Sequence, residues 1–137
     1  MVSLNQQSLY LVETKYMEFI MSAGFHHFVI EQGATFSKIL TLKDSTGSVV
    51  NLSSYSSAEM DLRQHPESST EVLTLTTANS RIALGGSAGT VTLTISASDT
   101  ASLTADDGVY DLEITDSGGN VFRILEGTYS IRRGISR

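Results

Sequence analysis

Ser57-Ala58-Glu59-Met60-Asp61-Leu62-Arg63 sets an apolar side chain at every second residue, with Glu59, Asp61 and Arg63 between them. Side chains alternate between faces along an extended chain, so this stretch reads as a strand with one dry and one wet face. The same alternation returns in Val91-Thr92-Leu93-Thr94-Ile95 and in Tyr110-Asp111-Leu112-Glu113-Ile114. Met60, Leu62, Val91, Leu93, Ile95, Leu112 and Ile114 are therefore expected in one common core.

Outward from these three strands the pattern stays β. His27-Phe28-Val29-Ile30-Glu31 is a short apolar run broken by Gln32-Gly33, and Thr35 to Leu42 puts Phe36, Leu40 and Leu42 on one face. Lys43-Asp44-Ser45-Thr46-Gly47 and Asp116-Ser117-Gly118-Gly119-Asn120 are turn clusters, the second the stronger hairpin signal because its glycines supply positive φ. Leu73 to Thr76, Ile82 to Leu84, Val121 to Leu125 and Thr128 to Arg132 complete the set, the last two divided by Gly127. Ser98 or Asp99 could cap one helical turn. About eight or nine short strands, spaced roughly 8–12 residues apart, predict an all-β antiparallel β-sandwich, with a closed barrel as the alternative.

Composition narrows the function classes. A chain of 137 residues is the size of one domain and can build its own core. It has no Cys, so neither a disulfide nor a thiolate metal site is available. Nine Lys and Arg against fifteen Asp and Glu leave a net charge of −6, the wrong sign for a general nucleic-acid binder. Residues 1–24 show neither a signal peptide nor a membrane span, and a soluble protein made in a cytoplasm is expected. Asn51-Leu52-Ser53 is a sequon without a secretory context.

The chain divides into an N-terminal arm, residues 1–24, and a β-domain with a basic tail, residues 25–137. In the arm, Leu9, Val12, Tyr16, Phe19 and Ile20 fall at helical spacing, which predicts a short amphipathic helix lying outside the sandwich. Such a helix is marginal alone and needs a surface to dock on, ideally another subunit. Met17-Glu18-Phe19-Ile20-Met21 leaves Met1 and Met21 both open as the natural start. At the other end, Ile131 to Arg137 holds Arg132, Arg133 and Arg137 and no acid. Leu9, Val12, Tyr16, Phe19, Ile20, Arg132, Arg133 and Arg137 are thus the expected protein-interface residues, the arginines pairing with an acidic neighbour such as a second copy.

Sites of chemistry are not expected. His26 and His27 point to opposite faces of a strand and cannot both join His65 at one metal. Asp106, Asp107, Asp111 and Asp116 lack the calcium-loop spacing. Gly85-Gly86-Ser87-Ala88-Gly89 lacks the Lys of a phosphate loop. No nucleophile motif or dinucleotide fingerprint occurs, so the expectation is a non-enzymatic protein without catalytic residues, cofactor or metal.

Several stretches carry a resemblance. Phe28-Val29-Ile30-Glu31-Gln32-Gly33-Ala34-Thr35-Phe36, Leu42 to Gly47, Leu73 to Thr77, Gly89 to Ala101, Gly108 to Ile114 and Leu125-Glu126-Gly127-Thr128 resemble small structural proteins of tailed bacteriophages. The nearest class is the immunoglobulin-like domain that anchors tail-fibre or upper-baseplate proteins to the virion. The resemblance spans residues 25–131 and implies a fold, a virion location after assembly in the bacterial host cytoplasm, and docking on other virion proteins. It implies homo-oligomers in the particle, with no nucleic acid and no membrane as partner. The arm and the arginine-rich end depart from that class and favour a small adaptor over a complete fibre. The competing readings are a capsid cement or decoration protein and a carbohydrate-binding or adhesin module. The last is disfavoured by the absence of Trp and an aromatic content of 7%.

Overall fold

The computed structural model describes residues 9–12, 16–19 and 24–136. Its strands are β1 (Leu9–Val12), β2 (Tyr16–Phe19), β3 (Gly24–Glu31), β4 (Phe36–Asp44), β5 (Tyr55–Arg63) and β6 (Leu73–Thr76). β7 (Ile82–Leu84), β8 (Thr90–Ile95), the helical turn α1 (Ala97–Ala101), β9 (Asp107–Asp116) and β10 (Val121–Arg132) follow. They form two five-stranded sheets, ordered β2-β1-β4-β8-β7 and β3-β10-β9-β5-β6.

The core is the set of inward positions. Met60, Leu62, Val91, Leu93, Ile95, Leu112 and Ile114 are all buried in one cluster, with Phe28, Leu40, Leu42 and Tyr129 among the others. Burying a large apolar side chain is worth about 1.5–3 kcal/mol, so period-2 patterning in several strands suffices to press two sheets together. The strand order is that of an immunoglobulin-like sandwich: β4, β8 and β7 stand where strands B, E and D stand, β5, β9 and β10 where C, F and G stand, and β6 extends the second sheet. The fold is thus an all-β immunoglobulin-like sandwich, and the barrel alternative falls away because the two sheets remain separate.

Four expectations need correction. The first concerns the arm. Residues 9–12 and 16–19 are strands, not a helix, and β1 pairs antiparallel with β4, Leu9 opposite Asp44 and Val12 opposite Thr41. The described part of the arm therefore extends a sheet of its own domain instead of lying outside it. The reason is local and general. Tyr10, Val12, Tyr16 and Phe19 favour extended backbone, a short helix has a costly nucleus, and β4 offers an edge of unpaired amides and carbonyls. Ile20 lies outside the described residues.

Second, the sandwich is not wholly antiparallel: β3 runs parallel to β10, Gly24 opposite Leu125 through Glu31 opposite Arg132. Third, Gly127 does not divide two strands. β10 runs through it with only a register shift between Arg123 and Leu125. A Cβ at Gly127 would strike the backbone of its partner His26, so the glycine permits close approach rather than a break. Fourth, the helix cap is Ser96, whose side chain accepts from the Asp99 amide at 3.1 Å, not Ser98 or Asp99. Thr100 in α1 is buried and its hydroxyl donates to the Ala34 carbonyl at 2.8 Å, tying the turn between β3 and β4 to the helix.

Two consequences can be measured. Gly127→Val should destabilise the domain by about 1–3 kcal/mol in urea denaturation, whereas Gly118→Ala, in an open turn, should stay within about 0.5 kcal/mol. Deleting residues 1–20 strips β1 from β4 and bares that edge. The truncated protein should melt earlier than the full chain and aggregate faster on light scattering. An unchanged melting temperature would mean that β1 adds nothing to the sheet.

Candidate protein interface

The two outer faces differ in chemistry. On the first sheet, β4 and β8 set Ser37 opposite Thr94, Ile39 opposite Thr92 and Thr41 opposite Thr90, a neutral and hydroxyl-rich surface. On the second sheet the outward positions are charged. One row across it runs Thr76, Glu59, Glu113 and Arg123. The next row runs Thr74, Asp61, Asp111, Glu126 and Phe25, so two pairs of carboxylates stand directly opposite each other on β5 and β9.

Like charges directly opposite on neighbouring strands are destabilising. Two arginines offset part of the cost. The Arg123 Nε lies 3.2 Å from Asp111 and its Nη1 3.7 Å from Glu126, while an Arg63 nitrogen lies 3.1 Å from Asp61 and 3.4 Å from Glu71. Glu113 makes no ion pair among the described residues. Asp61 Oδ1 is buried without a hydrogen-bond partner among the described residues. Partial desolvation, then a bond to the Asp61 carboxyl and the charges of Asp61, Glu113 and Asp111, raise the Glu59 carboxyl above its ordinary value. A depression of about 580 Å³ opens on this face, lined by the carboxylates Asp61, Asp111, Glu113 and Glu126, by Arg63 and Arg123, and by Val109 and Phe25 among others. Phe25 is 66% exposed at its rim.

The predicted interface residues are dispersed. Leu9 and Val12 sit in β1, Tyr16 and Phe19 in β2, paired Leu9 with Phe19 and Val12 with Tyr16. Arg132 ends β10, 71% exposed, 3.5 Å from Glu31. Arg133 follows it, exposed, and Arg137 lies outside the described residues. The acidic face was not among the expected sites. Its signal was present in the sequence, since Glu59, Asp61, Asp111 and Glu113 are the outward members of the two clearest strands, but only the β5–β9 register brings them together.

The histidines separate as their strand positions require. His26 lies edge-on to Phe28, 4.6 Å between ring centroids. His27, on the opposite face, bonds the hydroxyls of Thr128 and Ser130, and His65 is exposed in a loop. Among the described residues no three His, Asp or Glu side chains form a metal-binding group.

No family model matches the chain, and no curated protein does. Among solved structures, a chimeric titin Z1Z2 carrying an exogenous KLER peptide from decorin is similar at a TM-score of 0.40 and 12% identity, covering 93% of this chain and 98% of that one. A chain of the titin M10–obscurin-like 1 immunoglobulin complex is similar at 0.42 and 9%, covering 93% and 99%. At these values no residue correspondence is drawn.

The Glu59 environment predicts a pH signature. A carboxyl whose value is raised on folding contributes stability at low pH and loses it as pH rises from the ordinary 4.5 through the raised value. Glu59→Gln should therefore melt about 1–4 °C above the parent at pH 7, the size of one unfavourable cross-strand pair. The gain should vanish below the ordinary Glu range in a thermal series across pH.

Proposed function

We propose that the chain is a non-enzymatic structural subunit of a bacteriophage virion, a tail, baseplate or fibre-anchoring adaptor that works by docking on other virion proteins. One observation carries the reading most directly: an acidic outer face, built at a cost in stability, and an exposed basic end stand on one two-sheet body. Arrangements that break a local stability rule and are only partly compensated in the fold are expected at functional or strained sites. A face that is charged, shallow and rimmed by an exposed aromatic suits protein contact better than turnover of a small substrate, which favours an enclosed and largely apolar pocket. The strand-and-turn motifs from Phe28 to Thr128 support the virion context by resemblance.

The described arm strands lie in the first sheet, so the docking elements of this proposal are the acidic face and the arginine end rather than an apolar helix. Localisation in the particle, and homo-oligomers within it, belong to the same proposal.

The test is mass spectrometry of particles purified from the strain that encodes the chain, after separation of heads from tails. The chain should appear at fixed stoichiometry with the tail fraction. Recovery with heads would instead make it a cement or decoration protein, and absence from particles would overturn the virion reading.

A further inference from the structure

The exposed C-terminal segment and the acidic face are complementary in charge, and the geometry keeps them apart within one molecule. The Gln32 amide donates to the Arg132 carbonyl at 2.8 Å, and the Gly134 amide donates to the Gln32 side chain at 3.1 Å. The Gln32 side chain is itself held, donating to the Leu103 carbonyl at 2.8 Å. These bonds pin the segment at the far end of β3. The row of Asp61, Asp111, Glu126 and Phe25 lies six positions back along β10 from Arg132, about 20 Å at the rise of a strand. Arg132 and Arg133, held there, do not reach the acidic face of their own molecule.

What projects is Arg133 followed by Ile135, which is 91% exposed. What waits on the acidic face is a depression whose four carboxylates outnumber its two arginines, Arg63 and Arg123, with Phe25 and Val109 for an apolar side chain. Glu113 is the carboxylate there that no arginine occupies among the described residues.

We infer that the acidic face of the second sheet receives the Arg132–Arg137 segment of a second copy of this chain, in a head-to-tail contact. The contact joins two different surfaces, so it leaves one free face and one free tail on every pair and propagates into a ring or an open row. Its area is small and its core holds one aliphatic anchor, so association is weak, on the order of 100 µM, and depends on salt. The inference deepens the self-assembly part of the proposed function and holds whether or not the chain is found in a virion.

Full-length protein in sedimentation velocity should associate with rising concentration at about 50 mM salt, and the dissociation constant should rise at least about tenfold near 500 mM. Arg133→Glu removes the tail charge and keeps the face. Glu113→Lys alters the face and keeps the tail, and it sets Lys between Glu59 on one side and Arg123 on the other. Circular dichroism confirms that each variant is folded. Each alone should be monomeric, and their equimolar mixture should associate again, because one supplies the tail and the other the face. Full-length protein that stays monomeric to about 1 mM at low salt overturns the inference. So does a mixture that stays monomeric, or a pair of variants that still self-associate. Detection of the chain in particles would leave the virion reading standing after any of these failures.

Discussion

The parallel seat of β3 on β10 closes the second sheet. It brings the first long strand of the described chain against the last, some hundred residues away along the sequence. Eight registered pairs hold it, and at its centre the backbones of His26 and Gly127 approach too closely for any side chain. Tyr110, on the neighbouring strand β9, adds a hydroxyl bond to the His26 carbonyl at 2.8 Å. Without this seat Phe28 and Ile30 would lose their place in the core and Phe25 its place at the rim of the acidic face. Core and candidate interface therefore depend on one glycine-dependent contact.

The acidic face follows from the same alternation that builds the core. A strand that must bury every second residue has only its other positions free for selection by a partner. β5 and β9 both use those positions for carboxylates, and the register sets them side by side. Repulsion between them is an energetic cost that Arg63 and Arg123 only partly offset. In the proposed head-to-tail contact, a cationic segment would recover part of that cost on binding.

Placing the arm in the first sheet changes what the arm does for the molecule. A free apolar helix would be an assembly device. A strand on the edge of β4 satisfies backbone groups that would otherwise recruit another chain. In the proposed contact, association is left to charged surfaces, whose strength responds to salt.

Alternation in residues 57–63, 91–95 and 110–114 was enough to read strands and the seven core residues, because burial of one face imposes a period of two on the strand, while the choice of two sheets over a closed barrel came from the strand pairing. The same positions contained the acidic face in outline, as the polar half of the alternation. Which polar residues meet could not be read locally. Pairing partners lie tens of residues apart, and a shift of one residue would send every side chain to the other face. The arm was misread for a related reason: Leu9, Val12, Tyr16 and Phe19 satisfy helical spacing, and the competing strand exists only because β4 presents an edge. Gly127 looked like a break, since a missing side chain signals a turn as readily as a close approach. The register of β5 with β9, the parallel run of β3 and the pinning of Gly134 by Gln32 are decided by contacts across the sandwich, where packing and backbone hydrogen bonding act over distances that sequence patterns do not encode.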